Sequence, residues 1–254
     1  MEHSPMRGTL PAFLFDLVMA ILLVFAFSMG AGAIWAIFQG VQHALGAGDG
    51  QGMAEPGAIA LIWIAIIGTG GAALVMYFWR RRATVQERES SLRAARQWST
   101  WALAVATGVA MFVFSATVAW LGRQVGIQPE PTNQVMIETA YSISPLFLFV
   151  FAALLAPAYE ELLFRRVLFG RFLAANKVGL GMLLSSLAFA FVHEIPGLSA
   201  NPFPAMLLLW FTYGVMGAAF AWVYWRTGTL WAAIGAHAVN NALALAAMVW
   251  MSAA

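Results

Sequence analysis

Apolar residues fall along this chain in seven long runs, at about residues 14–38, 57–79, 98–122, 140–174, 178–195, 203–226 and 229–251. About 20 apolar residues in helical conformation cross the hydrocarbon core of a bilayer. The pattern therefore predicts an all-α, polytopic membrane helix bundle. The fourth run is too long for one straight crossing. Pro157 inside it kinks or divides it, so seven or eight transmembrane helices are expected. The first run, after Arg7, exceeds a typical signal core and reads as an uncleaved span, although "SMGAGA" mimics a cleavage site. Residues 1–139 supply N-terminal transmembrane helices and residues 140–254 a core that carries the chemistry, within one integrated membrane domain.

The polar stretches add orientation. "GVQHALGAGDGQGMAEPG" is glycine-rich and almost uncharged, and reads as a flexible loop. "RRRATVQERESSLRAARQ" carries six arginines against two glutamates. Its ordinary reading is a loop obeying the positive-inside rule. With the N-terminus in the cytoplasm, Arg7, these arginines, the 165–177 cluster and Arg226 all fall on the inner side, leaving Arg123 outside. Trp79, Trp98, Trp225, Trp231 and Trp250 lie near span ends, as interfacial tryptophans do. Small-residue sets, Gly214 with Gly217 and Gly68 with Gly71 and Ala72, read as close helix packing. Composition agrees: 62% of residues are hydrophobic and 9% charged, and the mean hydropathy is +0.79. There is no cysteine, which excludes disulfides, thiolate metal sites and a cysteine nucleophile. A lipid bilayer is the expected surrounding and no nucleic-acid partner is expected.

Against that background a few polar residues inside the runs stand out. Each ionisable group there costs about 2.5–3.5 kcal/mol on the lenient insertion scale. Four places need a reason: Glu160 and Glu161 with Arg165 and Arg166; His193 with Glu194; His237; and Asn241, polar though not ionisable. On a helix Glu161 and Arg165 are four apart and pair, while Glu160 points about 100° away. Alone, the cluster reads equally well as an interfacial ion network reaching water. "FAFVH" places Phe189 and His193 on one helix face, and "HAVNN" does the same for His237 and Asn241. Singly, each reads more simply as a satisfied buried polar group.

Depth lets them meet. Glu160 lies 17 residues before Lys177 and His193 lies 16 after it, so an antiparallel hairpin sets both roughly 25 Å from the turn. Asn241 lies 13 residues beyond Gly228, roughly 20 Å from its own turn. A carboxylate beside an imidazole can hold and deprotonate a water molecule, and a second histidine with a carboxamide can serve a developing oxyanion. That is equipment for hydrolysing an amide bond without a covalent intermediate and without a cofactor. Zinc held by Glu160, His193 and His237 stays open as an alternative, although "HEIPG" lacks the second histidine of the local metalloprotease motif. A proton-coupled transporter with an intramembrane Glu/His relay and a non-catalytic peptide- or lipid-binding membrane protein are the rival classes.

Three elements in order, "EELLFR" (Glu160, Glu161, Arg165), "FAFVH" (Phe189, His193) and "HAVNN" (His237, Asn241), resemble the motifs of the CPBP family. These are the CAAX proteases and bacteriocin-processing enzymes, also called the Abi family. The resemblance covers about residues 145–251 and meets all three motifs. It implies an intramembrane endopeptidase acting on a membrane-associated peptide or protein. It further implies that Glu160, aided by His193, activates water, that His237 and Asn241 stabilise the oxyanion, and that Glu161 and Arg165, with Phe189, support the geometry. A bacterial inner membrane is the expected location.

Overall fold

The computed structural model describes residues 6–46 and 55–253, and every regular element among them is helical. In chain order they are α1 (Met6–Ala44), α2 (Ala58–Arg80), α3 (Val85–Ala95), α4 (Trp98–Gln124) and α5 (Gln134–Ile143). Then come α6 (Pro145–Ala174), α7 (Val178–His193), α8 (Phe203–Thr227) and α9 (Leu230–Ala253). Six of these, α1, α2, α4, α6, α8 and α9, are long and apolar enough to cross a membrane, and α7 is a shorter apolar helix. The glycine-rich loop falls largely on residues 47–54, outside the described residues. The side chain of Arg7 lies outside them too.

The long fourth run is divided, but at its start. Ser144 takes φ −153° and ψ 84° and separates α5 from α6, with Pro145 at the first turn of α6. The cause is steric: a proline pushes the residue before it out of the α region. Pro157 instead lies within α6. The helix accommodates it with a π-helical turn at Phe151–Leu155 just before it. A second π segment, Leu162–Phe169, follows. Such widened turns arise where an extra residue is inserted into a helix.

Helix α6 is the hub, touching α1, α2, α7, α8 and α9. On one side Leu163, Phe164, Leu168 and Phe172 of α6 pack with Phe13 of α1, Met76 of α2 and Phe189 of α7. On the other, Ala104 of α4, Met216 and Phe220 of α8 and Ala236 of α9 form a second cluster. The small-residue reading holds at Gly68, where a Cβ would sit 2.1 Å from Ser28 Oγ, and at Gly217, 3.0 Å from the Ser186 backbone. It does not hold at Gly214, which faces open space.

The ends of the bundle differ in charge. At one end Asp16 of α1 is fully buried and accepts from Arg80 of α2 at 2.7 Å and from Arg171 Nε of α6 at 2.8 Å. Asp16 is a further intramembrane ionisable residue, additional to the places expected. It clamps three helices together. Arg81 donates to the Gly170 carbonyl, and Arg166 grips both Glu87 oxygens at 3.1 and 2.7 Å. Helix α3 starts from a capping box in which Thr84 and Glu87 exchange hydrogen bonds, satisfying two free N–H groups. At the opposite end Glu194, fully buried, accepts from Thr132 N and Thr132 Oγ1, both at 2.8 Å, and closes the 125–133 and 194–202 loops onto each other. Asn201 joins them through the Glu130 carbonyl at 2.6 Å.

Candidate active site

The site lies where α6, α7 and α9 meet beneath those two loops. Glu160 and Glu161 sit at the junction of the α-helical stretch Ala156–Glu161 and the second π segment. As neighbours on a helix they point about 100° apart, and the structure gives them separate surroundings.

Glu161 faces inward. Its Oε2 is 2.8 Å from Arg165 Nε, and both side chains are fully buried. The contact is an ion pair without hydrogen-bond alignment, and the Arg165 terminal nitrogens have no hydrogen-bond partner. The guanidinium lies instead 4.8 Å from the Phe189 ring centroid, 5.8 Å from Phe220 and 5.9 Å from Phe164. Aromatic faces carry negative potential and so stabilise a cation that has lost its water. The other oxygen, Oε1, lies 3.0 Å from His237 Nδ1.

Glu160 faces the two imidazoles. Its Oε2 is 3.7 Å from His193 Nε2 and 3.9 Å from His237 Nε2. That oxygen is buried and has no hydrogen-bond partner. The ring orientations are set from behind. His193 Nδ1 lies 2.7 Å from the Phe189 carbonyl; a carbonyl only accepts, so Nδ1 carries the proton and the neutral ring turns an Nε2 lone pair toward Glu160. Glu161, as a carboxylate, imposes the same tautomer on His237. Phe189 and Tyr213 hold the His193 ring from two sides at 4.3 and 4.7 Å. Phe220 stacks on His237 at 4.8 Å.

Asn241 meets a different demand. Ala156 N–H bonds to the Phe151 carbonyl, five residues back. In that spacing the Ala152 carbonyl would be served by residue 157, which is proline and has no N–H. Asn241 Nδ2 supplies the donor from α9 at 2.8 Å. Asn240, itself buried, donates to Asn241 Oδ1 at 3.0 Å and so fixes which way the amide faces. Nδ2 retains a second hydrogen.

The structure thus gathers Glu160, Glu161, Arg165, Phe189, His193 and His237, and ties Asn241 to α6. Glu194, next to His193, turns away to the loops, where its carbonyl also accepts from Trp210 Nε1 at 2.8 Å. Tyr213, Phe220 and Asn240, none of them among the residues expected from the sequence, reach the site from α8 and α9. No motif spacing links them to it, although Asn240 stood in plain view beside Asn241. A carboxylate and two imidazoles are donors that zinc takes. Yet among the described residues no group of three or more His, Cys, Asp or Glu is arranged to hold a metal ion.

Comparison with known proteins bears on the same half of the chain. Residues 142–243 match the family model described as type II CAAX prenyl endopeptidase Rce1-like. This segment is thus similar to the CPBP family. All the gathered residues and Asn241 fall inside the matched residues. A Bacillus subtilis (strain 168) protein named "Putative membrane peptidase YdiL" is 31% identical over 116 residues, covering 46% of this chain and 43% of that protein. The chain thus spans less than half the length of this relative. No solved structure matches it.

Proposed function

We propose that the protein is an intramembrane endopeptidase that hydrolyses a peptide bond of a membrane-associated peptide or protein with a water molecule activated by Glu160. The observation that carries this reading is the unpartnered Glu160 Oε2 facing two imidazole nitrogens at 3.7 and 3.9 Å. Those separations exceed a direct hydrogen bond, so Glu160 Oε2 keeps its accepting capacity for a water that the imidazoles would share. Glu160, aided by His193, takes a proton from that water. The hydroxide attacks the carbonyl carbon and the C=O bond becomes an oxyanion. His237 serves the oxyanion through a proton on Nε2, since its Nδ1 proton is committed to Glu161. The second Asn241 hydrogen adds a donor. Glu160 then returns its proton to the departing amine as the C–N bond breaks.

Glu161, Arg165 and Phe189 hold this arrangement. In this reading the chemistry proceeds without a resident cofactor. The protein works in a bacterial inner membrane with its N-terminus in the cytoplasm, as the concentration of arginine at one end of the bundle supports.

The deciding experiment is cleavage of candidate membrane peptides by purified protein. Glu160→Gln is expected to fold with unchanged melting and to lose about 10²–10⁴-fold in rate, the contribution of a positioned general base. Equal turnover in both proteins removes Glu160 from the mechanism. A chelator added to the wild type is expected to leave the rate unchanged; abolished turnover, restored by zinc, assigns the same residues to a metal.

A further inference from the structure

The basic end of the bundle holds two kinds of arginine. Arg80 and Arg171 share the carboxylate of Asp16 and Arg166 pairs with Glu87, while Arg81 donates to the Gly170 carbonyl. These hold helices together. Among the described residues, Arg82, Arg88, Arg96, Lys177 and Arg226 have no ion-pair partner, so each presents uncompensated charge.

Two of these five share a further feature. The Arg82 guanidinium lies 5.8 Å from the Phe78 ring centroid, and that of Arg226 lies 5.9 Å from Trp225. Phe78 and Trp225 are exposed aromatics in the last turns of α2 and α8, 59% and 45% accessible, on spans whose outward faces are apolar. Their rings therefore lie where acyl chains give way to headgroups, the level that interfacial aromatics occupy. An arginine over such a ring has one flat face screened from water and its N–H edge free, and that fork matches two phosphate oxygens. Arg88 and Arg96 lack this arrangement. They stand on α3, which is fastened to the bundle through Arg166–Glu87 and a 2.8 Å contact between Ser91 and Thr229 hydroxyls.

We propose that Arg82 with Phe78, and Arg226 with Trp225, are two binding sites for the phosphate of an anionic phospholipid in the leaflet at the basic end. The ring contacts the first acyl carbons, the guanidinium takes the phosphate, and the lipid's net negative charge offsets an arginine that the protein leaves unpaired. The proposal does not depend on the proteolytic reading, because none of these residues belongs to the site.

The test is native mass spectrometry of the full chain in detergent, titrated separately with phosphatidylglycerol, phosphatidylcholine and inorganic phosphate. Phosphatidylglycerol is expected to stay bound in up to two copies under conditions where phosphatidylcholine and phosphate do not. The double variant R82Q/R226Q is expected to bind it about fivefold more weakly at each of the two sites, which lose one arginine apiece, with an unchanged melting midpoint in detergent. R88Q/R96Q removes the same charge and is expected to change binding by less than twofold. Equal retention of phosphatidylglycerol and phosphatidylcholine overturns the proposal. So does an equal loss in both double variants, which reports only diffuse attraction. Inorganic phosphate binding as well as the lipid overturns it as well, by assigning a soluble anion to the sites.

Discussion

Arg165 is fully buried, opposite a single carboxylate and against three aromatic rings. Breaking a buried pair by removing one member leaves an uncompensated charge, at a cost of about 3–5 kcal/mol, whereas replacing both members with apolar groups is often close to neutral. Arg165→Met is therefore expected to lower unfolding stability by about 3–5 kcal/mol in a detergent melt. The double variant E161L/R165M is expected to recover most of that loss while peptide cleavage stays absent, because His237 has lost its orienting carboxylate. Recovery of cleavage in the double variant argues that Glu161 serves stability alone. The four-residue spacing made this pair legible in the sequence. The aromatic enclosure was not legible, since Phe164, Phe189 and Phe220 come from three helices and only packing unites them. Asp16 shows the same limit: its partners lie 64 and 155 residues away, so no local pattern announces them.

At the scale of elements, α6 works because of two departures from α geometry. Pro157 removes the N–H that the Ala152 carbonyl would take, and Asn241 repays it from α9. Asn241→Leu is expected to cost about 1–3 kcal/mol, the penalty for an unsatisfied buried carbonyl. In a P157A background, where residue 157 regains its N–H, that cost is expected to shrink. A double-mutant cycle of melting free energies measures the coupling, and additive effects would show that the two residues are independent. Cleavage rates are expected to stay low in both Asn241 variants if its second hydrogen serves the oxyanion. The sequence marked Pro157 and Asn241 separately, but the register that joins them depends on a π turn that periodicity does not reveal. Helix α3 depends on charge. Hydrogen bonds from Arg166 hold the Glu87 carboxyl down at about 2, with burial opposing and the Thr84 N–H assisting. A lowered carboxyl pKa gives stability that is present above the ordinary value of 4.5 and lost as pH falls toward 2. Hydrogen exchange across residues 85–95 is expected to be faster in Glu87→Gln than in wild type at pH 6. The difference is expected to close as pH drops from 4.5 toward 2, and a difference that persists at pH 2 would assign the protection to the cap alone.

The whole molecule is where sequence and structure agree most. Hydropathy alone placed the long spans, because crossing a bilayer leaves a signal of length that tertiary context does not override. Orientation rests on the arginine-rich end. As the chain has no cysteine, single replacements Ser90→Cys and Ser199→Cys report one end each. With a membrane-impermeant thiol reagent on intact cells, Ser199→Cys is expected to react and Ser90→Cys to stay protected until the membrane is opened. The reverse result inverts the topology. One dimension carries a last consequence. Helix α1 has 39 residues, roughly 58 Å of rod at 1.5 Å per residue, and its apolar exposed face continues as far as Ile37, Phe38 and Val41. A hydrocarbon layer of about 30 Å cannot cover that length upright, so α1 must lean or stand proud of the headgroups, and lengthening the acyl chains should draw it, and the helices clamped to it through Asp16, toward the bilayer normal.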